Sequence, residues 1–81
     1  MNAIFFKHPS SGLFIAIHQD EEFYIHAGLW RDETSIKKVH GKNRTEFQLG
    51  ICLQEYTEIT GEEFVDAINR AHSILLNTPY L

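Results

Sequence analysis

Between Ala3 and Trp30 the chain sets out short apolar runs at Ala3 to Phe6, Leu13 to Ile17 and Phe23 to Trp30. Pro9-Ser10-Ser11-Gly12 separates the first from the second, and Asp20-Glu21-Glu22 separates the second from the third. Short runs of β-branched and aromatic residues punctuated in this way predict an antiparallel meander. Leu13, Ile15 and Ile17 share one face of the second strand, and Phe23, Ile25, Ala27 and Leu29 share one face of the third. Putting both sets in the core pairs Ile17 with Ile25, Ile15 with Ala27 and Leu13 with Leu29, across a loop with an odd number of residues. The opposite face then carries Phe14, Ala16 and His18 against Gly28, His26 and Tyr24, with Trp30 at its end. A Ser10-Ser11 turn brings Ile4 and Phe6 of the first strand to the core.

Downstream, Phe47, Leu49, Ile51 and Leu53 alternate with Gln48, Gly50, Cys52, Gln54 and Tyr56, which predicts a fourth strand within Arg44 to Glu58. The stretch from Trp30 to Arg44 has two readings. In one, Asp32 caps a short helix bearing Ile36, Val39 and His40; in the other, an extra hairpin turns at Gly41-Lys42-Asn43. The clearest local signal is a final helix. Thr60-Gly61-Glu62-Glu63 is a capping box with Ile59 and Phe64 at the hydrophobic-staple positions. Phe64, Ile68, Ala71 and Leu75 recur at helical spacing, widened by Val65, His72 and Leu76, and Asn77 and Pro79 mark the stop. The expected fold is therefore α+β. A single domain over residues 1–81 forms a four-stranded sheet, five-stranded if the 31–44 segment joins it. The sheet is mainly antiparallel, with one C-terminal helix packed on one face.

Size sharpens this reading. An 81-residue chain has a core worth only about 3–5 kcal/mol, so domains of this length often add a disulfide, a metal or self-association. Cys52 is the lone cysteine, which excludes an internal disulfide and suits a reducing cytoplasm. With one helix, the second sheet face has no cover, and Phe14, Tyr24, Trp30, Cys52 and Tyr56, with His26 among them, form an exposed patch there. Patches of this kind mark partner or ligand sites, and a homo-oligomer is the simplest way to bury one. No apolar run approaches the ~18–20 residues of a membrane span, and the first residues lack the basic segment and apolar core of a secretory signal.

Charge is unevenly placed. The formal net charge is −4, yet Arg31, Lys37, Lys38, Lys42 and Arg44 are five of the seven basic residues. Such a cluster donates charge-assisted hydrogen bonds to phosphate, with Trp30 or Tyr24 available to stack a base. The net negative charge argues against duplex nucleic acid. Gly41-Lys42-Asn43 is no phosphate loop, because it lacks the preceding glycine and the following Ser or Thr.

His18 and His26 are expected as diagonal neighbours on one face, two ligands where a transition metal needs three or four. Cys52 has no evident activating base, and the acidic groups sit in a turn and a helix start. The expectation is a small, cytoplasmic, non-enzymatic binding module that needs no cofactor. It engages, and in the sharpest form inhibits, a partner protein through its aromatic face and basic loop. The alternative is a binder that sequesters a nucleotide or another small phosphorylated ligand between protomers. The residues assigned to partner or ligand are Tyr24, Trp30, Lys37, Lys38, Lys42 and Arg44, with Phe14, His26, Cys52 and Tyr56 at the interface.

Overall fold

A computed structural model describes residues 3–29 and 34–77. Their order is β1 (Ala3–Lys7), β2 (Leu13–His18), β3 (Phe23–Leu29), β4 (Thr34–His40), α1 (Lys42–Glu55), β5 (Thr57–Ile59) and α2 (Gly61–Asn77). The fold is α+β, with a five-stranded sheet in the order β4-β3-β2-β1-β5. Every neighbouring pair is antiparallel. Trp30, Arg31 and Asp32, on which parts of the sequence reading rest, lie outside the described residues, as does Pro79.

The β1–β2 register follows the sequence expectation, Ile4 opposite Ile17 and Phe6 opposite Ile15. The β2–β3 register is one residue away from it: Ile17 faces Tyr24, Ile15 faces His26 and Leu13 faces Gly28. The cause is an even loop. Gln19 to Glu22 make a turn in which the Glu22 amide donates to the Gln19 carbonyl at 3.2 Å and Glu22 takes φ 59°. One step of register exchanges the faces. Ile15 and Ile17 therefore share a side with Tyr24 and His26, while Phe14 and Ala16 share the other with Ile25 and Ala27.

Residues 42–55 form a helix, correcting the predicted fourth strand, and 34–40 form a strand rather than a capped helix or a hairpin at Gly41. Thr45, Leu49, Cys52 and Tyr56 stand four, three and four residues apart, so a helix gathers them on one stripe. Thr45 and Cys52 are fully buried, whereas Phe47 and Leu53, core residues in a strand, are 71% and 65% exposed. Geometry also requires this length. Five strands ~4.8 Å apart measure roughly 19 Å between outer strands. The fourteen residues of α1 run about 21 Å, enough to carry the chain from the β4 edge across to β5.

The sheet is thus covered on both sides. Beneath α1, Phe6, Ile15, Ile17 and Cys52 form one core, with Ile4, Leu13, Tyr24, Leu49 and Tyr56 packed on it. Beneath α2, Phe14, Ala16, Ala27, Phe64 and Ala67 form the other, bordered by Phe5, Ile25, Ile36, Ile59 and Ile68. At the start of α2 the Glu63 amide donates to Thr60 Oγ1 at 3.2 Å, half of the expected capping box. The other half differs: the Thr60 hydroxyl donates to the Glu63 carboxylate at 3.3 Å. Ile59 and Phe64 meet the same core, as staple residues do. Val65 and His72 lie outside the buried stripe, which is Phe64, Ala67 and Ala71.

Candidate binding surfaces

Among the described residues the aromatic face expected from the sequence is divided between the two sides of the sheet and covered on both, Tyr24, Cys52 and Tyr56 on the α1 side and Phe14 on the α2 side. Phe14 is 7% exposed and lies under α2, while Cys52, on the inward side of α1 itself, is fully buried. Tyr24 and Tyr56 pack on the α1 core, and the Tyr56 ring meets His8 edge-on at 5.1 Å. Burial, then the neighbouring Cys52 and Glu55, push the Tyr56 phenol above its usual value. Tyr24 stands between Ile17 and Val39 on the α1 side, with Lys37 its diagonal neighbour on β4, and packs on the α1 core rather than presenting an open face.

The two histidines are on opposite sides of the sheet. His18 is paired with Phe23 on the α2 side, their rings stacked at 4.4 Å, and His26 is paired with Ile15 on the α1 side. They do not share a face, so the weak two-histidine metal arrangement is overturned. Among the described residues no group of three or more His, Cys, Asp or Glu is placed to hold a metal. Each imidazole has a buried Nδ1 with no partner among the described residues. Burial, reinforced by the Lys37 ammonium on the adjacent strand, holds His26 below the ordinary histidine value.

The basic residues divide as a strand requires. Lys37 lies on the α1 side opposite His26, and Lys38 on the α2 side, its ammonium 4.1 Å from the Phe23 ring centroid. Both are exposed on β4, which among the described residues has no strand on its outer flank. Lys42 and Arg44 continue the basic surface in the first turn of α1. That turn has no acidic residue, and its N-cap is Gly41, at φ 135°, without a side-chain cap. Inside it, Thr45 Oγ1 donates to the Gly41 carbonyl at 2.7 Å, and the Gly41 amide donates to Glu22 at 2.8 Å, tying α1 to the acidic β2–β3 turn. The four cations therefore form a rim along one edge of the molecule, on both sides of the sheet, rather than a single pocket.

Cys52 has its thiol pushed up by burial, with the Gln48 amide 3.7 Å from Sγ acting weakly the other way. A thiol held protonated is a packing group rather than a nucleophile.

Two features absent from the sequence reading are the outer face of α1 and a cleft on α2. Phe47 stands on the solvent side of α1. The cleft, of about 440 Å³, lies where α2 meets β1 and is lined by Phe5, Gly61, Glu62, Val65, Asp66 and Asn69. The first could have been found by testing residues 42–56 for helical as well as alternating period. Among the described residues no helix is long and apolar enough to cross a membrane.

No protein-family model matches this chain, and no curated protein or solved structure does either.

Proposed function

We propose that the chain is a non-enzymatic binding module that associates with itself and docks an acidic partner protein along the free edge of β4. The supporting observation is the edge itself: seven residues with no neighbouring strand on one side among those described, carrying exposed Lys37 and Lys38 on alternate faces. An unpaired edge offers main-chain hydrogen bonds to an added strand, and cross-strand charge pairs select that strand. Lysines on an edge also repel a second like-charged edge, so two β4 strands do not join and an acidic segment does. Lys42 and Arg44 extend the same potential past the end of the strand.

The test is binding of a labelled acidic peptide of alternating Glu and Val, as long as β4, followed by fluorescence anisotropy. Binding that weakens with salt and is lost in the Lys37→Glu, Lys38→Glu double variant supports the reading. Equal binding by that variant refutes it. The uncapped, basic start of α1 favours a second reading, a small phosphorylated ligand held there by amides and cations. For that reading, titration with ATP gives heat that disappears when Lys37, Lys38 and Lys42 are all replaced by Ala.

A further inference from the structure

The most exposed large apolar side chain described is Phe47, 71% exposed on α1. Gly50, one turn later, leaves the space beside it empty, with nothing within 4 Å of where a Cβ would lie. Arg44, one turn earlier, places a cation on the same strip of helix surface. The combination is an aromatic knob with a guanidinium at its side. Leu53, the other strongly exposed residue of α1, has no such neighbour one turn away on either side.

The α2 cleft has the opposite character. Phe5, Gly61 and Val65 line it with apolar surface, and Glu62, Asp66 and Asn69 share the lining, two of them carboxylates. Gly61 keeps it open, since a Cβ there would lie 3.2 Å from the Phe5 ring. Asp66 has an ion pair with Arg70 at 3.6 Å, both side chains more than half exposed, and such pairs are weak enough to exchange partners.

We infer that copies of this chain associate head to tail, with Phe47 of one copy seated in the Phe5–Gly61–Val65 cleft of the next and Arg44 against Glu62 and Asp66. Knob and cleft cannot meet within one molecule, because α1 and α2 lie on opposite sides of the sheet. The contact joins two different surfaces, so it propagates as an open chain or closes as a ring. It rests on the self-association named above and gives it surfaces, but it uses neither Lys37 nor Lys38.

Sedimentation velocity from roughly 10 μM to 1 mM covers the range in which weak contacts populate. The wild-type mass rises with concentration above the 9.4 kDa of one chain. Phe47→Ala removes the knob, and Val65→Arg, at an exposed position, fills the cleft and opposes Arg44. Each alone weakens association by roughly tenfold or more. Mixed, they recover one productive contact, an intact knob on the Val65→Arg chain and an intact cleft on the Phe47→Ala chain, and stop at twice the chain mass. That capped dimer also shows that both variants are folded. The proposal is overturned by a wild type that stays monomeric throughout, by association that survives either substitution, or by a mixture that stays monomeric. Lys37→Glu with Lys38→Glu leaves the mass curve unchanged; loss of association there would assign the oligomer to β4 instead.

Discussion

Leu49 and Phe47 are two residues apart, so a strand puts them on the same face and a helix separates them. In α1, Leu49 packs on Phe6, Ile15, Ile17 and Cys52, whereas Phe47 is 71% exposed. Truncating a fully buried leucine costs about 2–5 kcal/mol, and Leu49 is only partly buried, so Leu49→Ala should cost ~1–3 kcal/mol. Phe47→Ala should fall within about 0.5 kcal/mol of wild type, as exposed substitutions do. At roughly 4–8 °C per kcal/mol for a domain of this size, the first lowers Tm by about 4–24 °C and the second by no more than about 4 °C. Thermal melts followed by circular dichroism, at low micromolar protein so that association does not contribute, measure both. Equal losses at the two positions would refute the helical assignment and restore an alternating strand.

Three further outcomes follow from particular atoms. Gly12→Ala places a Cβ against the Leu29 carbonyl, backbone that cannot rotate away, and strains the 2.7 Å bond from the Leu29 amide to Gly12. A loss of about 2–4 kcal/mol in urea unfolding is expected, and a neutral result would show that the loop yields. His26 titrates lower in the folded chain than unfolded, so the unfolded state takes up its proton first on acidification. Its contribution is complete above the unfolded value near 6.5 and is lost as pH falls from there through the lowered folded value. His26→Gln should therefore lose less stability than wild type between pH 7.5 and pH 5, and parallel curves would count against the argument. Cys52, buried with a raised thiol, should react with iodoacetamide at least roughly a hundredfold more slowly in the native chain than in urea. Native reaction at the unfolded rate would contradict its burial.

How far the sequence could be read depends on how many faces each element buries. β1 was legible because Ile4 and Phe6 alternate with residues of the other side, and its short turn leaves one sensible pairing. β2 is apolar from Leu13 to Ile17 without a break, the mark of a strand covered on both sides. Either of its faces can then be matched to Ile25 and Ala27, and the choice passes to the loop, where Glu22 in a left-handed conformation adds the residue that alternation does not reveal. Residues 42–56 misled for a different reason. The buried stripe of α1 includes Thr45, polar but satisfied by Gly41, and a lone cysteine. The conspicuous Phe47 and Leu53 meanwhile point outward and imitate a strand. The site reading inherited that error, since an uncovered face was a consequence of counting one helix. The lysines of β4 were found as a cluster, but their division between two faces follows from a strand that the sequence left open.

The position of β1 has a consequence for how the chain is made. β1 precedes the other four described strands in the chain, yet it lies inside the sheet, between β2 and β5. Its second flank stays unpaired until Thr57–Ile59 arrive, after β2, β3, β4 and all of α1. At ordinary elongation rates the roughly fifty intervening residues take about 3–10 s. Throughout that interval a nascent chain displays the open side of Ile4, Phe5 and Phe6, and Lys7 is its one charged residue. The second flank of β1 is therefore protected only when β5, the last strand to join the sheet, pairs with it.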